Sequence, residues 1–239
     1  MDVKELDALD GEVGAHWYYR SKLAAVSKLL RGVRYEKVLD VGAGSGFFSQ
    51  HLLLHGAATE AWCIDTEYPS NSDDVIGGKP IHYWRSLSPG PLADLALFMD
   101  VLEHVDDDVG LLAGYRDRIK PQGHCLISVP AFQFLWCGHD EFLDHRRRYT
   151  LKQLEDVVRR AGFIVETGAY FYGLVFPLAV AARLYDKMRG SARNIPRSHL
   201  KSHSTPVNAT LSAICRLELP LLKFNRLAGL TVFCVARRA

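Results

Sequence analysis

Nine residues constrain this chain more than any others: Val38-Leu-Asp-Val-Gly-Ala-Gly-Ser-Gly46. A short apolar run, Lys37–Val41, enters glycines at positions 42, 44 and 46, and a helical stretch follows at about Phe47–His55. Glycine adopts positive φ without strain and lets the backbone approach a ligand closely. The first turn of the following helix leaves backbone N–H groups without intrahelical partners. Such a strand–turn–helix unit places the chain among α/β folds, and the remaining sequence keeps that rhythm. Strand-like runs occur at Thr59–Asp65, His82–Trp84, Asp94–Asp100, His124–Val129, from Phe163 to Thr167, and at Leu230–Ala236. Helical stretches are expected at 12–31, Val105–Ile119, and from Thr150 to about Gly162, where Thr150-x-x-Gln153 has the form of a capping box. Strands alternating with helices predict a mostly parallel sheet with helices on both faces. A length of 239 residues favours one domain, 1–239. Pro121-Gln-Gly123 reads as a turn, and residues 131–149 read as a long polar loop. Residues 172–226 break the alternation, with helical stretches near 172–188 and 207–219; they are expected to form a helical insertion before the last strand.

The glycine turn alone leaves three readings open: a dinucleotide site, a site for a sulfonium cofactor, or a tight turn with no ligand. The dinucleotide fingerprint G-x-G-x-x-G needs glycine at position 47, which is Phe47 here. Asp40 stands two residues before the first glycine, where a carboxylate suits a cationic ligand better than a pyrophosphate. Asp65 closes the next apolar run and lies nineteen residues after Gly46, where a strand-end acid can accept both ribose hydroxyls. The balance favours the sulfonium cofactor, S-adenosylmethionine, over a nicotinamide oxidoreductase.

Together these residues resemble the class I S-adenosylmethionine-dependent methyltransferases. Val38–Gly46 looks like their first motif and Asp65 like their ribose acid. Phe98-Met-Asp-Val-Leu-Glu-His-Val105 resembles their fourth-strand motif, and Ile119-Lys-Pro-Gln-Gly-His-Cys-Leu-Ile127 the turn into their fifth strand. The resemblance covers roughly residues 12–171 and 229–238. It implies a Rossmann-like sheet of seven strands with the last antiparallel, and S-adenosylmethionine as cofactor with S-adenosylhomocysteine as product. It places Gly42, Gly44, Gly46, Asp40 and Asp65 at the cofactor, Arg85 or Ser86 near the adenine, and Met99 and Asp100 near the methionine end. Arg20, in His16-Trp-Tyr-Tyr-Arg20, is the candidate for the cofactor carboxylate, with an exposed helix face as the alternative.

Methyl transfer to an oxygen or nitrogen usually also needs a base for the departing proton. His104, His139, Asp140 and His145 follow the fourth and fifth strands and are the catalytic candidates, with His104 first because imidazole titrates near neutrality. Asp100-x-x-Glu103-His104 resembles the metal cluster of some O-methyltransferases, among them ubiquinone-pathway and small-RNA enzymes, although those usually carry Glu at the first position. No metal is the first expectation, and a divalent ion on Asp100, Glu103 and His104 is the alternative. The segment Trp136-Cys-Gly-His-Asp-Glu-Phe-Leu-Asp-His-Arg-Arg-Arg-Tyr-Thr150 resembles a loop of a bacterial subgroup of these enzymes, written HD…H-x-RRYT. It is expected to cover the site, with Arg147, Arg148 and Tyr149 on the substrate; an internal salt-bridge network is the alternative.

A net charge of +2 excludes a strongly polyanion-binding molecule, and nucleic acid is not the expected partner. Five scattered cysteines with no CxxC spacing point to a reducing compartment, and the acidic start has no signal-peptide character, so a cytoplasmic location is expected. The apolar run Tyr170–Ala182 leads into Arg183, Lys187, Arg189, Arg193, Arg197 and Lys201, a pattern compatible with peripheral membrane contact through 170–201 or with ordinary packing. The acceptor is expected to be a small, lipid-linked or peptide molecule methylated on oxygen. An N-methyltransferase and a non-catalytic binding module are the alternatives. The sequence assigns no oligomeric state.

Overall fold

A computed structural model describes Gly14 and residues 16–86, 92–188 and 204–239. The start of the expected leading helix and the basic residues Arg189, Arg193, Arg197 and Lys201 lie outside these, as does the side chain of Lys187. The strands are β1 (Tyr35–Val41), β2 (Ala58–Ile64), β3 (Ser72–Ile76), β4 (Lys79–Trp84), β5 (Ala93–Met99), β6 (Ile119–Pro130), β7 (Phe163–Phe171) and β8 (Thr231–Arg238). The helices are α1 (Trp17–Leu29), α2 (Phe47–Leu54), α3 (Asp108–Arg116), α4 (Gly138–Phe142), α5 (Leu151–Arg160), α6 (Phe176–Met188) and α7 (Thr205–Glu218).

The strands form one sheet in the order β3-β4-β2-β1-β5-β6-β8-β7. β4, β2, β1, β5 and β6 are parallel, and β8 is antiparallel to both β6 and β7. This is the expected Rossmann-like α/β sheet with its last strand antiparallel, extended by one strand to eight. The extra strand is a hairpin: β3 pairs antiparallel with β4 around Gly77-Gly78, at φ 58° and 77°. Two residues at positive φ match the right-handed twist of the flanking strands, which is why Gly-Gly favours such a loop.

The central strands read as continuous apolar runs because both sheet faces are covered. One core gathers Val38, Leu52, Leu95, Phe171 and Phe233 with Ala25 and Val26 of α1; the other gathers Leu39, Phe98, Leu112, Ile127, Leu154 and Val158. α5 begins at the expected capping box: the Thr150 N–H donates to Gln153 Oε1 (2.8 Å), and Gln153 N–H to Thr150 Oγ1 (3.3 Å). The helix ends before Gly162, which sits at φ 88°.

Two expectations need correction. The turn at Pro121-Gln-Gly123 lies inside β6, where Gln122 at φ 63° kinks the strand near a register shift. The loop 131–149 is a closed excursion rather than an irregular tether. Its ends are joined by Phe132 N–H to Tyr149 O and Tyr149 N–H to Pro130 O, both 2.9 Å, and it contains α4. Between β7 and β8 the chain forms α6 and α7, followed by a short 3-10 turn at Leu219–Phe224.

Candidate active site

Gly42, Gly44 and Gly46 all take left-handed φ, at 66°, 53° and 71°. A Cβ at Gly42 would stand 2.7 Å from Val101 Cγ2, and one at Gly46 would stand 2.9 Å from Tyr83 Cε1. The alternate glycines therefore let residues at the ends of β4 and β5 close around the turn. Asp65, at the end of β2, accepts from the Gly44 N–H at 2.8 Å and the Glu67 N–H at 3.0 Å. The Ser45 hydroxyl is buried without a hydrogen-bond partner, so the turn keeps an unused polar atom.

Asp40 is buried at the end of β1 and accepts from Ser49 Oγ at 2.7 Å. Burial pushes its carboxyl up to about 6. A carboxyl with a raised folded pKa keeps its proton longer in the folded chain, so its contribution is fully present below about pH 4 and is lost as the pH rises through about 6. Asp40→Asn is therefore expected to match the parent in urea unfolding near pH 4 and to exceed it above about pH 7, by roughly 3 kcal/mol at most.

No motif or spacing along the chain marks Lys22 as a site residue. Lys22 projects from α1, fully buried, and forms an ion pair with Asp100. Its ammonium also lies 5.4 Å from the Tyr18 ring centre. Burial alone would lower the pKa of Lys22, but Asp100 overrides this and holds it above its usual range. Burial likewise acts to raise Asp100, and the Lys22 charge wins, keeping the carboxyl ionised. Asp100 stands at φ 57° just beyond β5 and accepts a second bond from Ser128 Oγ at 3.1 Å. An opposed ammonium and carboxylate form a template for an α-amino acid zwitterion. With the glycine turn, Asp65 and the orphaned Ser45 hydroxyl, these residues fit S-adenosylmethionine.

Beside this pair opens a cavity of about 250 Å³. Trp17 and Tyr18 of α1, Ala179 and Arg183 of α6, and Leu135 and Leu143 of the excursion supply much of its wall. Asp100, Glu103, His104, His139, His145 and Arg148 supply its polar groups. Both Glu103 carboxylate oxygens are buried without hydrogen-bond partners. Burial, reinforced by Asp100, pushes this carboxyl well above its ordinary range, so the site disfavours its ionised form. The His104 and His145 rings lie 4.8 Å apart, nearly perpendicular.

Asp140 organises the excursion. Fully buried, it accepts from His145 Nδ1 (2.9 Å), Arg148 Nε (2.7 Å), Arg148 Nη2 (2.8 Å) and the Cys137 N–H (2.9 Å). Burial works against its ionised form, but these donors overcome it and hold the carboxyl below the usual carboxylate range. An ionised Asp140 fixes the hydrogen of neutral His145 on Nδ1 and leaves Nε2 as the basic nitrogen.

The structure thus brings together His104, His139, His145 and Arg148 at the cavity and places Asp140 behind them. Arg20, Arg85, Met99, Arg147 and Tyr149 do not line this cavity. Arg20 is exposed on α1, because the inward face of that helix is taken by Tyr19, Lys22 and Val26. Arg85 is exposed at the end of β4, and Met99 packs in the core. Arg147 turns away from the cavity, to Asp106 O (3.0 Å) and Asp108 Oδ2 (3.6 Å). Tyr149 is buried in the core, its hydroxyl donating to Asp108 Oδ2 (2.8 Å) and Leu102 O (3.1 Å). Arg148 reaches the cavity, but its fork is spent on Asp140, so the internal ion-pair reading describes it better than a grip on substrate. The acid-x-x-Glu-His cluster is also rearranged. Lys22 draws Asp100 away, and Glu103, His104 and His145 instead bring one ligand atom each within 4.8 Å of one another.

Comparison with known proteins agrees with this geometry. Residues 15–167 match a family model described as a methyltransferase domain. The chain belongs to that family, and its fold is that of the class I S-adenosylmethionine-dependent methyltransferases. It is similar to the ubiquinone biosynthesis O-methyltransferase of Cupriavidus pinatubonensis, 24% identical over 148 residues, covering 54% of this chain and 59% of the relative. The match therefore spans little more than half of that relative's length. The N-methyltransferase NodS of Bradyrhizobium japonicum, in complex with S-adenosylhomocysteine, shares the fold at a TM-score of 0.52 and 12% identity, covering 92% of this chain and 87% of that one. A Haemonchus contortus phosphoethanolamine N-methyltransferase, in complex with S-adenosylmethionine, superposes at 0.54 and 14% identity over 96% of this chain and 57% of its own.

Proposed function

We propose that the protein is an enzyme that transfers the methyl group of S-adenosylmethionine to an oxygen of a small molecule held in the 250 Å³ cavity. The observation that supports a methyl-transfer site is the His145–Asp140 pair, 2.9 Å apart, with His145 lining that cavity beside Asp100, and similarity to a ubiquinone biosynthesis O-methyltransferase favours oxygen over nitrogen. When bound, S-adenosylmethionine supplies an electrophilic methyl group. The glycine turn and Asp65 hold its nucleoside end, and Lys22 and Asp100 take its carboxylate and ammonium. His145 Nε2 accepts the proton that the acceptor hydroxyl loses as its oxygen bonds to the methyl carbon. Asp140 keeps the imidazole in the required tautomer and stabilises the imidazolium that forms. The Glu103 carboxyl, whose oxygens have no partner in the protein, hydrogen-bonds a second polar group of the acceptor. Trp17, Leu135, Leu143 and Leu230 exclude water around an apolar acceptor body. Positioning of this kind is worth on the order of 7–11 kcal/mol of barrier.

The test is release of S-adenosylhomocysteine, with product mass, against a panel of phenols, carboxylic acids and amines. O-methyl products support the reading. Methylation confined to amines overturns the oxygen assignment, and absence of S-adenosylmethionine binding by calorimetry overturns the enzyme itself.

The unpartnered Glu103 carboxylate also favours a second reading, in which Glu103, His104 and His145 hold a divalent ion that acidifies the acceptor hydroxyl. Titration calorimetry with Mg²⁺, Mn²⁺ and Zn²⁺, with and without the cofactor, measures it, and full activity in chelator rules it out.

A further inference from the structure

The chain between β7 and β8 grips the first turn of α1 at three points. The N–H of Trp17, where α1 begins, donates to Asn208 Oδ1 of α7 (2.6 Å). Tyr172, just beyond β7, stacks its ring on that of Tyr18, with centres 5.1 Å apart and planes 15° apart. The Tyr172 hydroxyl donates to Tyr18 O (2.6 Å). That carbonyl has a second duty, because in an α-helix the C=O of residue 18 faces the N–H of residue 22. Tyr172 is fully buried and stands at φ 64°, a region that a bulky side chain rarely adopts. Glu218, at the end of α7, holds it there by accepting from the N–H groups of Tyr172, Gly173 (3.1 Å) and Leu174 (2.9 Å).

Both contacts of Tyr172 with Tyr18 lead to Lys22. The Tyr18 hydroxyl accepts from Lys22 Nζ at 3.4 Å, and the Tyr18 ring centre lies 5.4 Å from that ammonium. The Tyr18 carbonyl belongs to the helical turn that carries Lys22. Lys22 is in turn paired with Asp100, while Arg20, on the same turn, is exposed. We propose that Tyr172 is a positioning residue for the methionine end of the cofactor. It fixes the first turn of α1, through Tyr18, so that the Lys22 ammonium stands beside Asp100 before the ligand arrives. The proposal rests on the reading that Lys22 and Asp100 take the carboxylate and ammonium of S-adenosylmethionine. A lysine stem is rich in rotamers, and ordering it in advance lowers the cost of binding. Tyr172 itself is not among the described residues that line the cavity, so its effect passes through Tyr18.

Calorimetry of the full chain with two thioether ligands isolates this effect. S-adenosylhomocysteine carries the amino-acid end, and methylthioadenosine carries the same nucleoside without it. The parent is expected to bind the first more tightly, and Lys22→Met to lose that preference. Tyr172→Phe keeps the stacked ring and removes only the hydroxyl. Tyr18 O keeps its helical partner, so the variant should fold. Its affinity for S-adenosylhomocysteine should fall about threefold to tenfold, the worth of one hydrogen bond, while its affinity for methylthioadenosine stays that of the parent. A merely structural role would weaken both ligands equally. That result, or unchanged affinity for both, overturns the proposal. Tyr18→Phe, which removes the hydroxyl that meets Lys22 Nζ, should move the same ratio in the same direction, and it carries the test if Tyr172→Phe melts early. A parent that binds both ligands equally, or neither, overturns the cofactor reading instead, as does a Lys22→Met variant that keeps the preference.

Discussion

Replacing His145 by alanine is expected to slow methyl transfer by about 10²–10⁴-fold while leaving S-adenosylmethionine affinity nearly unchanged. The imidazole lines the cavity and touches none of the residues assigned to the cofactor. Its loss removes the proton acceptor but not the methyl donor. Single-turnover kinetics with an active acceptor, and calorimetry with the cofactor alone, separate the two quantities. His145→Gln is the informative companion, because it keeps a polar side chain of similar reach but cannot take up the proton. A slow variant whose rate recovers at high pH would identify His145 as the base, since hydroxide then ionises the acceptor in its place. A variant as fast as the parent at neutral pH would return that role to His104, the residue favoured by sequence alone.

Asp140→Ala should cost about 3–5 kcal/mol of folding stability, because it leaves a nearly buried guanidinium without its partner. The side chain of Arg148 is only 11% exposed and that of Asp140 is fully buried, so water can replace little of the lost contact. Denaturant unfolding measures the cost. The double substitution Asp140→Leu/Arg148→Met should recover most of it, since an apolar pair of similar volume carries no desolvation penalty. The same network predicts acid lability. The folded pKa of Asp140 lies below its unfolded value, so its stabilisation is present above about pH 4 and is lost as the pH falls toward the folded pKa. The excursion 131–149 should therefore lose protection in hydrogen exchange at acid pH before the central sheet does. Simultaneous exposure of both would show that Asp140 does not govern the excursion.

The parts of this molecule legible in its sequence depend on neighbours along the chain. Glycine at 42, 44 and 46 reports a backbone that needs positive φ, and the structure places all three there. Thr150 and Gln153 cap a helix start through contacts three residues apart. The apolar runs of β1, β5 and β6 imply burial on both faces whatever covers them. The β3–β4 hairpin went unread: Gly77-Gly78 suits a two-residue loop, but the polar residues Ser72–Asp74 hid the edge strand. An edge strand needs no apolar face, so periodicity is silent about it.

Residue types in the active site were visible, but their partners were not. His145, Asp140 and Arg148 stood out as a dense ionic stretch, whose composition suggested substrate binding first and internal pairing as the alternative. Tyr149 and Thr150 continue the same motif, yet one is buried under the sheet and the other caps a helix. Lys22 was invisible because its partner Asp100 lies 78 residues away. Arg20 had the better claim by charge alone, and only the rotation of α1 about its axis decided between the two. Thus the alternate-glycine segment with Asp40 and Asp65 determined the class of fold and the family it resembles, because φ preference and strand-end position are local properties. Which carboxylate is held ionised, which histidine pairs with Asp140 and which cation pairs with Asp100 were decided by tertiary structure alone. Burial and opposing charge set those states, and both depend on groups brought together from distant parts of the chain.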